Sequence, residues 1–253
     1  MSIYKITFSP TGGTQRVADI FAEAFQEPST FVDLTDRSVH FSDIPFMEKD
    51  ICVVAVPSYG GRVPETAASR IRQMRGRGAK AILVVAYGNR AYEDTLLELK
   101  DLLTAGGFQC EAGAAAVTEH SIMHQFATGR PDREDCQELV EFAEEIVHRV
   151  KAEQRQAPLK IPGNKPYRKY GGIPLKPKAA KECIRCGLCA EKCPVGAISE
   201  KDPKETDKKK CISCMRCVNI CPKQARKVNS MLVYAASLKM KKTCSTRKKN
   251  EWF

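Results

Sequence analysis

The stretch Ile3-Tyr4-Lys5-Ile6-Thr7-Phe8-Ser9-Pro10-Thr11-Gly12-Gly13-Thr14-Gln15-Arg16-Val17-Ala18-Asp19-Ile20-Phe21 decides the fold. Ile3 to Phe8 reads as a short apolar strand, and Val17, Ile20, Phe21 and Ala24 recur at helical spacing. Strand, loop, helix is a phosphate-binding layout. Backbone N–H groups at the helix start point at an anion, Gly12 and Gly13 let the chain approach it, and the hydroxyls of Ser9, Thr11 and Thr14 add donors. Neither G-x-x-x-x-G-K-[ST] nor G-x-G-x-x-G is spelled here, which disfavours nucleoside triphosphates and NAD. A plain glycine-rich turn is the alternative.

Outward from that stretch, strand-like runs follow at Thr30 to Leu34, Ile51 to Val56, Ala81 to Tyr87 and Cys110 to Val117. Helical stretches lie near Thr66 to Met74 and Ala91 to Leu103, and a last helix is expected from Arg133 to Val150. Strands too apolar for a half-exposed sheet, alternating with helices, imply a parallel sheet covered on both faces. The expected fold class is α/β, five parallel strands in the order 2-1-3-4-5, with the ligand at their carboxyl ends beside the switch between the first and third strands. That geometry brings together three loops: Ser9 to Thr14, Pro57 to Pro64, and Tyr87 to Tyr92.

SPTGGT (9–14) resembles the FMN-phosphate loop of flavodoxins, PSYGGRVP (57–64) their second flavin loop, and YGNRAY (87–92) their third. The resemblance implies FMN held by Ser9, Thr11, Gly12, Gly13 and Thr14, by Pro57, Ser58, Tyr59, Gly60, Gly61 and Arg62, and by Tyr87, Gly88, Asn89, Arg90 and Tyr92. Tyr59 stands where such proteins often carry tryptophan. By the same resemblance Tyr59 and Tyr92 flank the flavin ring and Gly60 and Gly61 approach its N5 edge. Arg62 and Arg90 are candidates for the pyrimidine edge, the alternative being exposed salt-bridge partners. The segment from Glu119 to Asp132 leaves the last strand on the same side, so His120 is the candidate proton relay.

The second half is governed by cysteines. Cys183, Cys186, Cys189 and Cys193 precede Pro194, and Cys211, Cys214, Cys217 and Cys221 precede Pro222: C-x-x-C-x-x-C-x-x-x-C-P twice. Structural zinc draws on separated cysteine pairs and is the alternative; the third closely spaced cysteine and the C-P step favour iron and sulfide. The run resembles bacterial two-cluster ferredoxins, a small α+β fold in which the fourth cysteine of each motif serves the other cluster. That resemblance implies two 4Fe-4S clusters with crossed ligands, one on Cys183, Cys186, Cys189 and Cys221, the other on Cys211, Cys214, Cys217 and Cys193.

Charge divides the chain near the same place. Residues 1–150 carry 15 Lys+Arg against 22 Asp+Glu, residues 151–253 carry 26 against 8, and the whole is +11. Clusters would offset part of the basic excess, and no interleaved aromatic and basic pattern accompanies it, so nucleic acid is not expected and an acidic redox partner is. MSIYKITF shows no basic stretch followed by an apolar one, and no apolar run spans a membrane, so a cytoplasmic location is expected.

The expected organisation is a flavodoxin-like FMN domain at 1–152, a Pro/Gly/Lys-rich linker at 153–178, a two-cluster domain at 179–228 and a basic helical tail at 229–253. The linker's Ile161, Tyr167, Tyr170, Ile173 and Leu175 imply that it packs across a surface. As a whole the chain resembles flavodoxin-ferredoxin fusions of anaerobic bacteria. The expected function is electron transfer between the clusters, FMN and a redox partner; the alternative is an FMN-dependent reductase of a small molecule fed by its own ferredoxin domain.

Overall fold

A computed structural model describes residues 1–152 and 158–253; the first five residues of the expected linker, 153–157, lie outside the described residues. Strands β1 (Ile3–Thr7), β2 (Ser29–Asp33), β3 (Ile51–Pro57), β4 (Lys80–Tyr87) and β5 (Gln109–Val117) run parallel in the order β2-β1-β3-β4-β5. This is the flavodoxin-like order read from the sequence. Helices α1 (Gly13–Glu23) and α4 (Arg133–Lys151) cover one face; α2 (Glu65–Ile71) and α3 (Thr95–Ala105) cover the other.

The central strand explains why the sheet is sandwiched. Successive side chains alternate faces, so Ile51, Val53 and Ala55 pack with Val17, Phe21, Phe142 and Ile146, while Cys52, Val54 and Val56 pack with Ala68, Ile71, Leu99 and Leu103. No solvent face is left for a polar residue, hence the unbroken apolar run. Helix α4 begins with a capping box, Asp132 accepting from the Asp135 N–H and Asp135 from the Asp132 N–H.

Two sequence expectations shift. Helix α3 starts at Thr95, not Ala91, because Asn89 and Glu93 adopt left-handed backbone (φ +62° and +46°) that no helix can include. The sheet also gains a sixth strand. The chain end returns as a two-residue antiparallel partner of β5, Ala114 opposite Trp252 and Ala115 opposite Glu251. Phe253 and Gly113 exchange backbone hydrogen bonds at 2.8 and 3.1 Å, Asn250 Oδ1 accepts from the Val117 N–H at 2.9 Å, and Trp252 stacks on Phe142 at 5.3 Å. An edge that would otherwise offer bare backbone is thereby covered.

The cysteine-rich part is small. Strands β6 (Lys178–Ala179) and β7 (Arg226–Lys227) pair antiparallel, and short helices α5 (Leu188–Glu191) and α6 (Arg216–Asn219) lie between them. Each C-P step is followed by the same turn: the Ala197 N–H points at Cys193 Sγ (3.3 Å) and the Ala225 N–H at Cys221 Sγ (3.2 Å). Helix α7 (Ser230–Cys244), capped by Asn229 accepting from the Leu232 N–H, runs back to the first layer, and the edge strand is β8 (Glu251–Trp252). Cys244 is buried with Met123, Phe126 and Leu175. Among the described residues no helix is long and apolar enough to cross a membrane.

Buried polar contacts join the layers. Arg70 donates to the carbonyl of Leu34 and, at 2.8 Å, to that of Pro194; Asn89 Nδ2 donates to the carbonyls of Cys244 (2.7 Å) and Thr246 (2.9 Å). Arg216 reaches the Ser9 carbonyl at 3.4 Å, tying α6 to the loop before α1.

Candidate functional site

At the carboxyl ends of the strands lies a cavity of about 730 Å³. Its floor is the loop entering α1, where Gly12 takes a left-handed φ of +94° and no side chain caps the helix. Ser9 Oγ accepts the Gln15 N–H at 2.8 Å and so holds the loop's curvature. Pro10, Thr11, Gly13 and Thr14 line the cavity from this side, Pro57, Ser58, Tyr59 and Gly60 from the second loop, and Tyr87, Gly88 and Arg90 from the third. All three loops singled out in the sequence therefore contribute walls.

Six of the expected FMN residues do not line it. Ser9 and Gly12 support the floor from behind, and Gly61 faces Glu93. Asn89 is spent on the carbonyls near the chain end. Tyr92 is buried: its ring packs edge-on to Tyr87 at 5.4 Å and its hydroxyl donates to Glu251 at 2.9 Å, so it is a core tyrosine outside the cavity lining. Arg62 points away, giving Nε and Nη2 to Glu98 at 2.8 and 2.7 Å with its guanidinium over the Tyr167 ring at 5.0 Å. Of the two readings left open for Arg62, the salt bridge is the one found. Arg90 stays at the cavity but is paired with Glu93 at 3.0 and 2.9 Å.

Other walls come from residues the loop motifs do not announce. Thr118 lies behind Gly13, and Tyr170 covers Gly60, where a β-carbon would meet the ring at 2.3 Å. Residues 168–175 of the linker and Leu232, Ala236, Lys239 and Met240 of α7 roof the cavity. The apolar spacing of Tyr170, Ile173 and Leu175 signalled packing; what they pack over required the fold.

His120 lines the cavity beside Gly88. Its Nδ1 accepts the N–H groups of Ile122 (3.1 Å) and Met123 (3.2 Å), which leaves the ring proton on Nε2. Burial pushes its pKa down to about 4. A neutral imidazole that can donate from Nε2 is thus what the site offers at neutral pH; the proton relay expected from an ordinary histidine loses its acid form.

The eight motif cysteines gather into two groups. Cys183, Cys186, Cys189 and Cys221 line one small cavity with Ile184, Pro203 and Arg226. Burial pushes the thiols of Cys214 and Cys217 up to about 12, and in both cases Cys193 and Cys211 add to the rise by proximity. Each group therefore mixes three cysteines of one motif with the fourth of the other. Among the described residues no three His, Cys, Asp or Glu side chains converge on one point suited to a bare ion; a cubane spreads its thiolates over the corners of a cage. Arg226, which lines the cavity of the first group, has Nε and Nη2 buried without a partner among the described residues. An all-thiol donor set with spare donors beside it fits iron–sulfur chemistry.

The groups differ in position. Cys186 is exposed, with Ile184 58% exposed and Lys181, Arg185 and Lys223 exposed around it. The other group faces inward: Ser213 lines the 730 Å³ cavity and donates to the Ile173 carbonyl at 3.0 Å, and Lys176 donates to the Cys211 carbonyl at 2.5 Å. Tyr59 lines the cavity close to Cys214. Burial raises its pKa well above the ordinary value, and Cys214 and Tyr170 nearby raise it further.

Residues 182–226 match the family model of the 4Fe-4S dicluster domain. No curated protein matches the chain. Among solved structures, a Streptococcus pneumoniae flavodoxin is similar at 22% identity over 58% of this chain and 99% of its own, with a TM-score of 0.44. Flavodoxin 1 of Bacillus cereus is similar at 18% over 58% and 98%, TM-score 0.44. The rubredoxin:oxygen oxidoreductase of Desulfovibrio gigas is similar at 16% over 60% of this chain and 36% of its own, TM-score 0.44. The fold of the first layer is given by its own strand order, not by these likenesses.

Proposed function

We propose that this chain is an electron-transfer protein that holds FMN in the 730 Å³ cavity and two 4Fe-4S clusters on the crossed cysteine groups. Iron–sulfur clusters exchange single electrons and a flavin exchanges one or two, so the pairing couples the two kinds of carrier. The observation that carries the proposal is a shared wall: Ser213, inside the second motif, lines the same cavity as Thr11, Gly13 and Thr14, and Tyr59 lines it close to Cys214.

The chain's residues then divide the work. Thr11, Gly13 and Thr14 face the phosphate, Ser58 to Gly60 and Gly88 approach the ring, and Tyr170 closes over Gly60. The outward group at Cys186, ringed by lysine and arginine, is the contact for an acidic redox partner. The domain limits that suit these roles are 1–152, 153–178, 179–228 and 229–253.

One observation favours a second reading, a reductase of a small molecule. The cavity is roofed by the linker and α7, which keeps a protein partner from the flavin side but leaves space lined by Leu232, Ala236, Met240 and His120. Anaerobic protein should contain about eight irons and one FMN per chain. Partner-dependent turnover that weakens with salt supports the carrier, and repeated turnover of a small acceptor without partner supports the reductase. Protein with neither iron nor flavin after reconstitution defeats both.

A further inference from the structure

The segments that begin at the fourth cysteine of each motif are near-repeats that differ at one buried position. The first reads Cys193-Pro194-Val195-Gly196-Ala197-Ile198 and the second Cys221-Pro222-Lys223-Gln224-Ala225-Arg226. Their backbones match, each placing an alanine N–H on the preceding cysteine sulfur. Ile198 is 5% exposed, as an apolar plug should be. Arg226 is 2% exposed. A guanidinium in the place of an isoleucine is costly to bury unless its donors find partners.

Among the described residues only one of its nitrogens has a partner. Nη1 donates to Thr206 Oγ1 at 2.9 Å, and Thr206 is itself fixed by a backbone bridge to Ile198, so the fork is anchored across the pseudo-repeat. Nε and Nη2 are buried with no partner among the described residues. The side chain lines the cavity of Cys183, Cys186, Cys189 and Cys221. This cation is thus part of the wall around the outward group.

Resting on the two-cluster reading above, we propose that Arg226 donates hydrogen bonds from Nε and Nη2 to sulfur atoms of the outward cluster, the one held by Cys183, Cys186, Cys189 and Cys221, and raises its reduction potential. The physical reason is general: a fixed cation and N–H donors favour the more negative, reduced form, and hydrogen bonds to sulfur are a protein's main means of setting such potentials. Guanidinium suits the task because it stays charged at any working pH and its planar donors can point to two sides at once. Ile198, its counterpart in the first half, supplies nothing comparable.

The test uses the full-length anaerobic protein with FMN and clusters, in wild-type form and as Arg226→Ile, which installs the first half's residue, and Arg226→Lys. Potentials of both clusters are read by redox titration followed by electron paramagnetic resonance. In Arg226→Ile the outward cluster's potential should fall enough to shift its reduced-to-oxidised ratio at fixed ambient potential at least tenfold, about 59 mV for one electron. Arg226→Lys, which keeps the charge and loses the planar fork, should fall by less. A second measurement needs no variant to fold: wild-type protein labelled with ¹⁵N only in arginine guanidino groups should show ¹⁵N coupling in pulsed resonance of the reduced clusters, and Arg226→Lys should lose it. An unchanged outward-cluster potential in an iron-replete Arg226→Ile, a shift confined to the inward cluster, or no coupling in the wild type overturns the proposal. Wild-type protein that binds no iron instead overturns the two-cluster reading beneath it.

Discussion

Gly60 is the position where a single methyl group tests the roof of the cavity. Its φ is +62°, and a β-carbon would lie 2.3 Å from Tyr170 Cδ2 and 2.5 Å from Cε2, closer than any real contact. Gly60→Ala therefore carries two costs: about 1–2 kcal/mol for left-handed backbone, and about 1 kcal/mol for evicting an aromatic ring from its packing. Tyr170→Ala alone loses only the ring, about 1 kcal/mol. In the double variant no ring remains to be evicted, so the total should again be about 2–3 kcal/mol and the coupling about 1 kcal/mol. Urea unfolding of the four holoproteins, followed by release of flavin fluorescence, measures this. Strictly additive losses would show that Tyr170 does not lie over Gly60, and the roofed cavity would fall with it.

Further outcomes follow from the same geometry. Glu98 is 4% exposed and accepts from Arg62 Nε and Nη2 and from the Val63 N–H; Glu98→Ala leaves a partly buried guanidinium and a buried N–H unpaired and should cost about 1–3 kcal/mol in thermal unfolding, whereas a loss below about 0.5 kcal/mol would mean that the pair is idle. His120, with its pKa pushed down to about 4, refuses a proton that the unfolded chain accepts below about pH 6.5. Its contribution is thus fully present above pH 6.5 and is lost as pH falls toward 4, by about 3 kcal/mol. A His120→Asn variant should lose less stability over that window; parallel curves would contradict the buried neutral ring. Cys193→Ala should remove the cluster held with Cys211, Cys214 and Cys217 and spare the other, as counted by iron content and resonance signal. Loss confined to the first motif's own cluster would refute the crossed grouping.

Much of this was legible in the sequence because local chemistry and global fold agree there. The apolar run Ile51 to Val56 has no solvent face to encode, so it reads directly as a central parallel strand, and the cysteine spacing carries its own geometry. The misreadings lie where tertiary partners decide. Tyr92 and Tyr170 are both tyrosines beside glycine-rich loops, but Glu251 draws Tyr92 into the core and the linker delivers Tyr170 to the cavity. Arg62 is drawn off by Glu98, 36 residues away. Strand β8 is too short to show a period, and its place is fixed by Trp252 stacking on Phe142 and by backbone bonds to Gly113. His120 looked like an ordinary titrating histidine, since neither its burial nor the two N–H groups on Nδ1 can be seen before the loop is folded.

The central claim is that electrons pass within one chain between thiol-bound clusters and the flavin across the wall formed by Tyr59, Ser213 and Cys214. The most direct measurement is rapid-mixing reduction of the anaerobic holoprotein by a low-potential one-electron donor, with cluster and flavin absorbance followed together. Flavin bleaching should trail cluster reduction at a rate independent of protein concentration, and should slow sharply in Cys193→Ala. Clusters that become fully reduced while the flavin stays oxidised, or a flavin reduced just as fast without the inward cluster, would contradict the account.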